Sequence, residues 1–292
     1  MIHHSRPLLG IALFLGSGAC FALLDTTAKH VVATVPVLMA LAVRYVLQAI
    51  FSSAFLMAAK QHAPLRTNRL GLQLLRSLLL LGSSVAALFS LKHIPLAEFT
   101  AIVMLTPLMV SVIAVVVMKE KLDGAGWLLL ALSFAGTFLI VRPGGAASGL
   151  GAVFALICVS QAVAYQLLSG VLGRSDNPTS THLITMWSAA VLFTLTLPWS
   201  WFPIEDAGTW AWLSFMGLIG ALGHWLLAHA FRHAPASTLA PFNYANLLWA
   251  TLLGWSVFGQ FPDTVAATGM ALIAACGLIN TRRQVLRDRA LL

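Results

Sequence analysis

The 292-residue chain is predicted to be an all-α membrane protein, with ten transmembrane helices arranged as two inverted-topology five-helix repeats. Three observations predict this. Hydrophobic residues make up 59% of the chain and charged residues 9%, against roughly 25% charged in a globular protein; mean hydropathy is +0.89. Apolar runs of about twenty residues, enough at ~1.5 Å per residue to cross a bilayer, recur throughout, and the short alternating segments of a membrane β-barrel are missing. Finally, residues 91–122 and 231–262 repeat in one gapless register. His93 falls on His233, Pro95 on Pro235, Leu108 on Leu248, Val117 on Val257 and Asp123 on Asp263, with Lys92 on Arg232 as a conservative pair.

The spans are expected at 8–25, 36–58, 71–91, 97–118, 124–141, 149–172, 180–202, 208–231, 236–258 and 264–281. Breakers separate them, among them Pro36, Pro64, Pro95, Pro178, Pro203, Pro235 and Pro262. Residues 1–143 form the first repeat and 149–281 the second. A linker at 144–148 lies inside the PGGAASG segment, and 282–292 is a basic tail. The N-terminus leads directly into a full span without a small-residue cleavage site, so the first span is expected to be retained.

Charge orients the spans. One side carries Arg6, Lys60, Arg66, Arg69, Arg76, Lys119, Lys121, Arg174, Arg232, Arg282, Arg283, Arg287 and Arg289; the other carries Lys29, Lys92 and Arg142. The richer side is expected to be cytoplasmic, which places both termini there. Five spans per repeat is an odd number, so the second copy enters the membrane from the opposite side. Such inverted repeats let two halves exchange roles in alternating access.

The whole chain resembles the drug/metabolite transporter superfamily, in particular its EamA-type members. The resemblance is carried by Lys92-His93-Ile94-Pro95 entering span 4, Lys119-Glu120-Lys121 at its exit, and the echo His233-Ala234-Pro235 entering span 9. The second exit departs from the pattern, with Gln260 where such families often carry Glu. The resemblance implies a secondary transporter of the bacterial inner membrane that moves small polar metabolites. Bacterial exporters of amino acids are the nearest match, acting by export or facilitated diffusion. Carriers of cationic drugs, nucleosides or vitamin-type metabolites are the alternative of the same fold, and a channel the alternative of another class. Neither HExxH, G-x-S-x-G nor paired intramembrane aspartates occur, so an enzyme is not expected.

The polar residues deepest in apolar runs are the candidates for solute contact: Gln161 and Tyr165 on one face of span 6, His224 on span 8, Asn243 and Asn246 on span 9, with Ser83 on span 3 and Ser17 on span 1. Each also has a structural reading as an interhelical hydrogen bond. His224 is expected about 12 Å from the cytoplasmic end of its helix, eight residues at ~1.5 Å each. Pro107 and Pro241 interrupt spans 4 and 9, and the carbonyls they free need a cavity, water or a side chain. Arg44, inside span 2, either pairs with Asp25 or Glu98 near the outer surface, or serves as an anion clamp or outer gate lock.

The acidic residues all fall at or beyond span ends in this reading, Asp25 included, so transport is expected to run without a proton gradient and to favour neutral or zwitterionic solutes. Cys20, Cys158 and Cys276 lie singly in apolar runs, so neither a disulfide, a metal nor a cofactor is expected. The +8 net charge clusters at span ends as a topology signal, so the partners are a small-molecule solute and the lipid bilayer, not nucleic acid. Trp199, Trp201, Trp210 and Trp212 read as interfacial anchors. Ala131 and Ala135, repeated as Ala271 and Ala275, suggest that spans 5 and 10 pack closely, either on each other or across a homodimer.

Overall fold

The computed structural model describes residues 7–58, 67, 69–118, 124–142, 144–147, 149–172, 176–234 and 236–290. Arg6, Lys60, Pro64, Arg66, Lys119, Glu120, Lys121, Asp123, Pro143, Arg174 and Pro235 lie outside them. Among the described residues, thirteen α-helices and one 3-10 segment make ten crossings. The first half holds α1 (Pro7–Val31), α2 (Val37–Ala58), α3 (Leu70–His93), α4 (Leu96–Val103), α5 (Thr106–Met118) and α6 (Gly124–Val141). The second holds α7 (Leu150–Leu172), α8 (Pro178–Thr194), α9 (Leu197–Ser200), α10 (Ala207–His233), α11 (Ala236–Leu239), the 3-10 segment Ala240–Tyr244, α12 (Ala245–Phe258) and α13 (Thr264–Ala290).

Seven crossings are single helices long and apolar enough to span a membrane. The other three are broken: α4–α5, α8–α9, and α11 through α12. The first break falls at Met104–Leu105, so Pro107 sits in the first turn of a new helix, where its missing N–H leaves no hydrogen bond unmade. Pro241 lies within the 3-10 segment of the corresponding span. Both prolines therefore mark restarts, and the expectation of interrupted helices holds. Helix ends follow local chemistry. The Asn177 side chain accepts from Thr179 N–H at the start of α8, and Asp206 accepts from Gly208 and Thr209 N–H at the start of α10. α12 ends at Gly259 with φ +64°, a left-handed position that favours glycine, and Gln260 N–H closes back on the Gly254 carbonyl.

The packing repeats when the halves are exchanged. α1 lies along α10 as α3 lies along α7, and α2 against α10 as α8 against α3. α1 meets α12 as α7 meets α4 and α5. α2–α8, α6–α13 and α4–α12 pair each element with its own counterpart. Among the described residues, Arg69, Arg76, Arg232, Arg282 and Arg283 gather at one end of the bundle, called here the basic face.

Spans 5 and 10, α6 and α13, pack on each other, but not through the predicted alanines. Ala131, Ala135, Ala271 and Ala275 are exposed. The contact is Gly136 on Gly269: a Cβ at 269 would stand 2.5 Å from the Gly136 carbonyl oxygen. The helices are rotated so that glycine, which alone permits this backbone approach, faces the partner. Gly269→Ala should therefore cost roughly 1–3 kcal/mol of stability through overpacking and lower the melting temperature, while Ala135→Leu on the outward face should leave it unchanged.

At the end opposite the basic face, Lys29 donates to the Leu91 and Ile94 carbonyls at 2.7 and 2.6 Å. Arg142 pairs with Asp263 at 2.8 Å. The Ala266 N–H and then Arg142 hold the Asp263 carboxyl below the usual carboxylate range. α1 also runs on to Val31, six residues past the predicted end of span 1. Asp25, the last residue of the expected span, is thus carried about 9 Å inside the helix end at ~1.5 Å per residue, deeper than a span end.

Candidate functional site

A half-open cavity of about 410 Å³ lies on the basic-face side, between α2, α3, α7, α8 and α10. Its walls are largely rings. His224 packs edge-on against Phe21 with centroids 5.0 Å apart, and lies 5.0 Å from His182. Trp225 lies tilted against His229, one turn on, with ring centroids 4.0 Å apart, and Tyr165 completes the wall from α7.

Arg76 enters from the first turns of α3 and is 7% exposed. Its Nε donates to Ser169 Oγ and its Nη1 to Thr185 Oγ1, each at 2.6 Å, and its Nη2 donates to Tyr165 Oη. The guanidinium carbon also sits 4.3 Å from the Tyr165 ring centre. Among the described residues its partners are hydroxyls, and no carboxylate lies within ion-pair distance. One turn earlier, Gln73 donates to Asp176 Oδ2 at 2.8 Å and to Thr181 Oγ1 at 2.9 Å, clasping α3 to α8 and so fixing where Arg76 points. A guanidinium has five N–H donors in a planar fork. Held by neutral oxygens, it keeps its full charge for an acceptor-rich solute.

A second, smaller cavity of about 190 Å³ lies beyond Phe21, at the break between α4 and α5. It is lined by Asp25, Thr100, Met104 and Asn246, with apolar side chains between them.

The predicted site residues divide among several places. Tyr165 and His224 share the larger cavity, while Asn246 lines the smaller. Asn243 receives a 3.4 Å bond from Asn246 and faces Met104 Sδ at 3.9 Å, joining the two broken spans. Gln161 lies over Gly82, where a Cβ would meet its Oε1 at 2.3 Å. Ser17 donates to the Gly223 carbonyl at 2.8 Å, tying α1 to α10, and Ser83 meets Cys158 Sγ at 3.4 Å, tying α3 to α7. Their hydroxyls serve helix contacts.

The ion pair considered for Arg44 does not form. Among the described residues neither Asp25 nor Glu98 is within 4.0 Å of it, and the ion pair at that end is Arg142–Asp263. Arg44 instead sets its guanidinium carbon 4.9 Å from the Tyr45 ring centre, with a buried, unpartnered Nε. Because α1 continues past Asp25, that carboxylate faces the smaller cavity.

Two residues of the larger cavity were not singled out from sequence. Arg76 is counted there only as a topology charge, and His182 is passed over. The available signal was depth: each lies more than a turn inside its helix, where an ionisable side chain is expensive.

Comparison with known proteins agrees with this architecture. Residues 8–142 and 149–281 each match the model of the EamA-like transporter family. A riboflavin transporter of Vibrio cholerae is 26% identical over 291 residues, covering 98% of this chain and 97% of that protein. The pseudopaline exporter of Pseudomonas aeruginosa is 24% identical over 273 residues, covering 91% and 94%. A protein of known crystal structure superimposes with a TM-score of 0.65 at 21% identity, covering 96% of this chain and 99% of that one, which bears on the fold alone.

Proposed function

The chain belongs to the EamA-like transporter family, and on that premise we propose that it is a secondary transporter for a small metabolite built on a planar heteroaromatic ring, with riboflavin the first solute to test. The two halves exchange roles, opening the larger cavity alternately to each side of the membrane. One observation carries the reading: the buried Arg76 and the rings of Tyr165, His182, His224 and Trp225 share a single cavity. A flavin offers a flat ring for those walls and an edge of carbonyl and imide groups for a guanidinium fork. The relatives named for riboflavin support the same solute class. Amino acids, expected from sequence, have less support, because a wall of rings offers little to a small aliphatic zwitterion. Arg76 and Arg232 at the cavity disfavour cationic solutes.

Counterflow tests the solute. Liposomes holding the purified protein and unlabelled riboflavin should accumulate labelled riboflavin transiently, and excess external amino acids should not compete. Counterflow with amino acids and none with riboflavin would overturn the proposal.

The basic face is assigned to the cytoplasm of a bacterial inner membrane, with both termini inside, on the charge asymmetry. On a background lacking Cys20, Cys158 and Cys276, a cysteine replacing Trp199, which is 87% exposed, should react with an impermeant maleimide in intact cells. One replacing Arg282 should react only after permeabilisation; the reverse pattern would invert the assignment.

A further inference from the structure

We propose that Asp25 is a proton-carrying group of the transport cycle, and that the smaller cavity is its site. The inference rests on the transporter reading above but not on the identity of the solute.

Three observations carry it. Asp25 lies about 9 Å inside the end of α1 at ~1.5 Å per residue, and among the described residues it has neither a hydrogen bond nor an ion pair. An ionisable side chain at such depth marks an ion path or a proton relay far more often than a structural contact. The cavity it faces also sits where the broken spans of the two repeats meet. Thr100, Val103 and Met104 end α4 on one side, Asn246 begins α12 on the other, and Asn243 reaches across to Met104. Interrupted helices meeting within the membrane are where inverted-repeat carriers place coupling ions. Finally, Phe21 lines this cavity and packs on His224, which lines the larger one. A movement of α1 that closes one cavity therefore moves a wall of the other.

The ion is a proton rather than a metal cation. Oxygen donors are too few here: Thr100 donates its hydroxyl proton to the Leu96 carbonyl, and the remaining wall is largely apolar. The surrounding charges bear on the same point. Arg44 of α2 and Cys158 of α7 are within Coulombic reach of Asp25. α10 presents His224 through Phe21, and α4 carries Glu98, which does not line this cavity. On α1 itself, Lys29 is held by the Leu91 and Ile94 carbonyls, and His30 lies against Trp212. Tyr244 of the 3-10 segment is turned toward Gly277, α11 and α12 bring no titratable side chain, and those of α3 (Arg76, Lys92 and His93) lie toward its ends. Arg44 would oppose a resident metal cation.

The step is simple in its balance. The carboxylate takes a proton from water on one side and returns it to water on the other. While ionised it needs the water of the cavity, and burying it unpaired is prohibitive. Once neutral, it lets α1 close on α4. Closure of the smaller cavity is thereby tied to protonation.

Two measurements test this. Infrared titration of the purified protein, without solute, should show a protonated carboxyl band that disappears as pH rises. The band should be missing from Asp25→Asn and kept, shifted, in Asp25→Glu. A titration identical in wild type and Asp25→Asn overturns the proposal whatever the solute proves to be. In liposomes, an imposed pH gradient should drive riboflavin accumulation by wild type and Asp25→Glu. In Asp25→Asn that accumulation should fall to the passive level, while exchange at equal pH persists. Wild-type flux indifferent to the gradient, or gradient-driven accumulation kept by Asp25→Asn, also overturns it. Loss of riboflavin exchange in wild type, with the carboxyl band present, would count against the flavin reading alone.

Discussion

Replacing Arg76 with alanine should weaken riboflavin binding by roughly 10- to 100-fold while the protein still inserts and folds. A hydrogen bond to a charged group contributes about 1.5–3 kcal/mol, and each ~1.4 kcal/mol is tenfold in affinity. The guanidinium is buried, and its partners Ser169, Thr185 and Tyr165 are neutral. Removing it leaves three neutral hydroxyls, of which Tyr165 lines the cavity and Ser169 and Thr185 can keep their bonds to the Tyr165 and Thr181 carbonyls, so folding should suffer less than binding. Arg76→Lys separates charge from shape. A lysine keeps the charge but offers a compact ammonium instead of a planar fork, so it should recover only part of the affinity if two acceptors on the solute are engaged together. Affinity from quenching of flavin fluorescence, with melting temperature measured on the same sample, gives both readouts. A variant that melts earlier but binds as tightly as wild type would make Arg76 a structural residue.

The largest effect on stability is expected at Gly277. A Cβ there would stand 1.7 Å from the Tyr244 hydroxyl and 1.8 Å from the ring carbon that bears it. The hydroxyl end of Tyr244 meets α13 at Gly277, and the side chain is buried to 8% exposure. Unlike the end of a flexible chain, an aromatic ring gives way only by moving as a whole. Tyr244 ends the 3-10 segment that carries Asn243, so displacing it shifts the break in span 9 that meets Met104. Overpacking of this kind costs about 1–3 kcal/mol and occasionally more. Gly277→Ala should therefore melt earlier than wild type, and the double variant Gly277→Ala, Tyr244→Ala should recover part of the loss because the added methyl then has room. A double variant no better than the single one would place the strain elsewhere in α13.

Proline and hydropathy are local properties, and what depends on them was legible in the chain. Ten crossings, their alternation and the breaks near Pro107 and Pro241 all follow from runs of twenty apolar residues and from two residues without an N–H. The gapless match of His93 with His233 and Pro95 with Pro235 likewise indicated a duplication, which the packing repeats when the halves are exchanged. Tyr165 and His224 stood out because polar side chains deep in an apolar run are few.

Helix rotation and partnership are not local, and they decided the rest. Whether Ser17 faces a solute or the Gly223 carbonyl depends on α1 lying along α10, two hundred residues away in sequence. Gly136 rather than the flanking alanines meets α13, because close packing selects the face where a backbone can approach, and small residues occur on both faces. The most consequential case is Asp25. Read by hydropathy, span 1 stops at the first charge. In the folded chain the helix continues to Val31, because Lys29 finds two carbonyls at the end of α3 to receive its ammonium. Sequence determined that a carboxylate follows this apolar run; only the packing of α3 against the end of α1 placed it inside the membrane, facing a cavity.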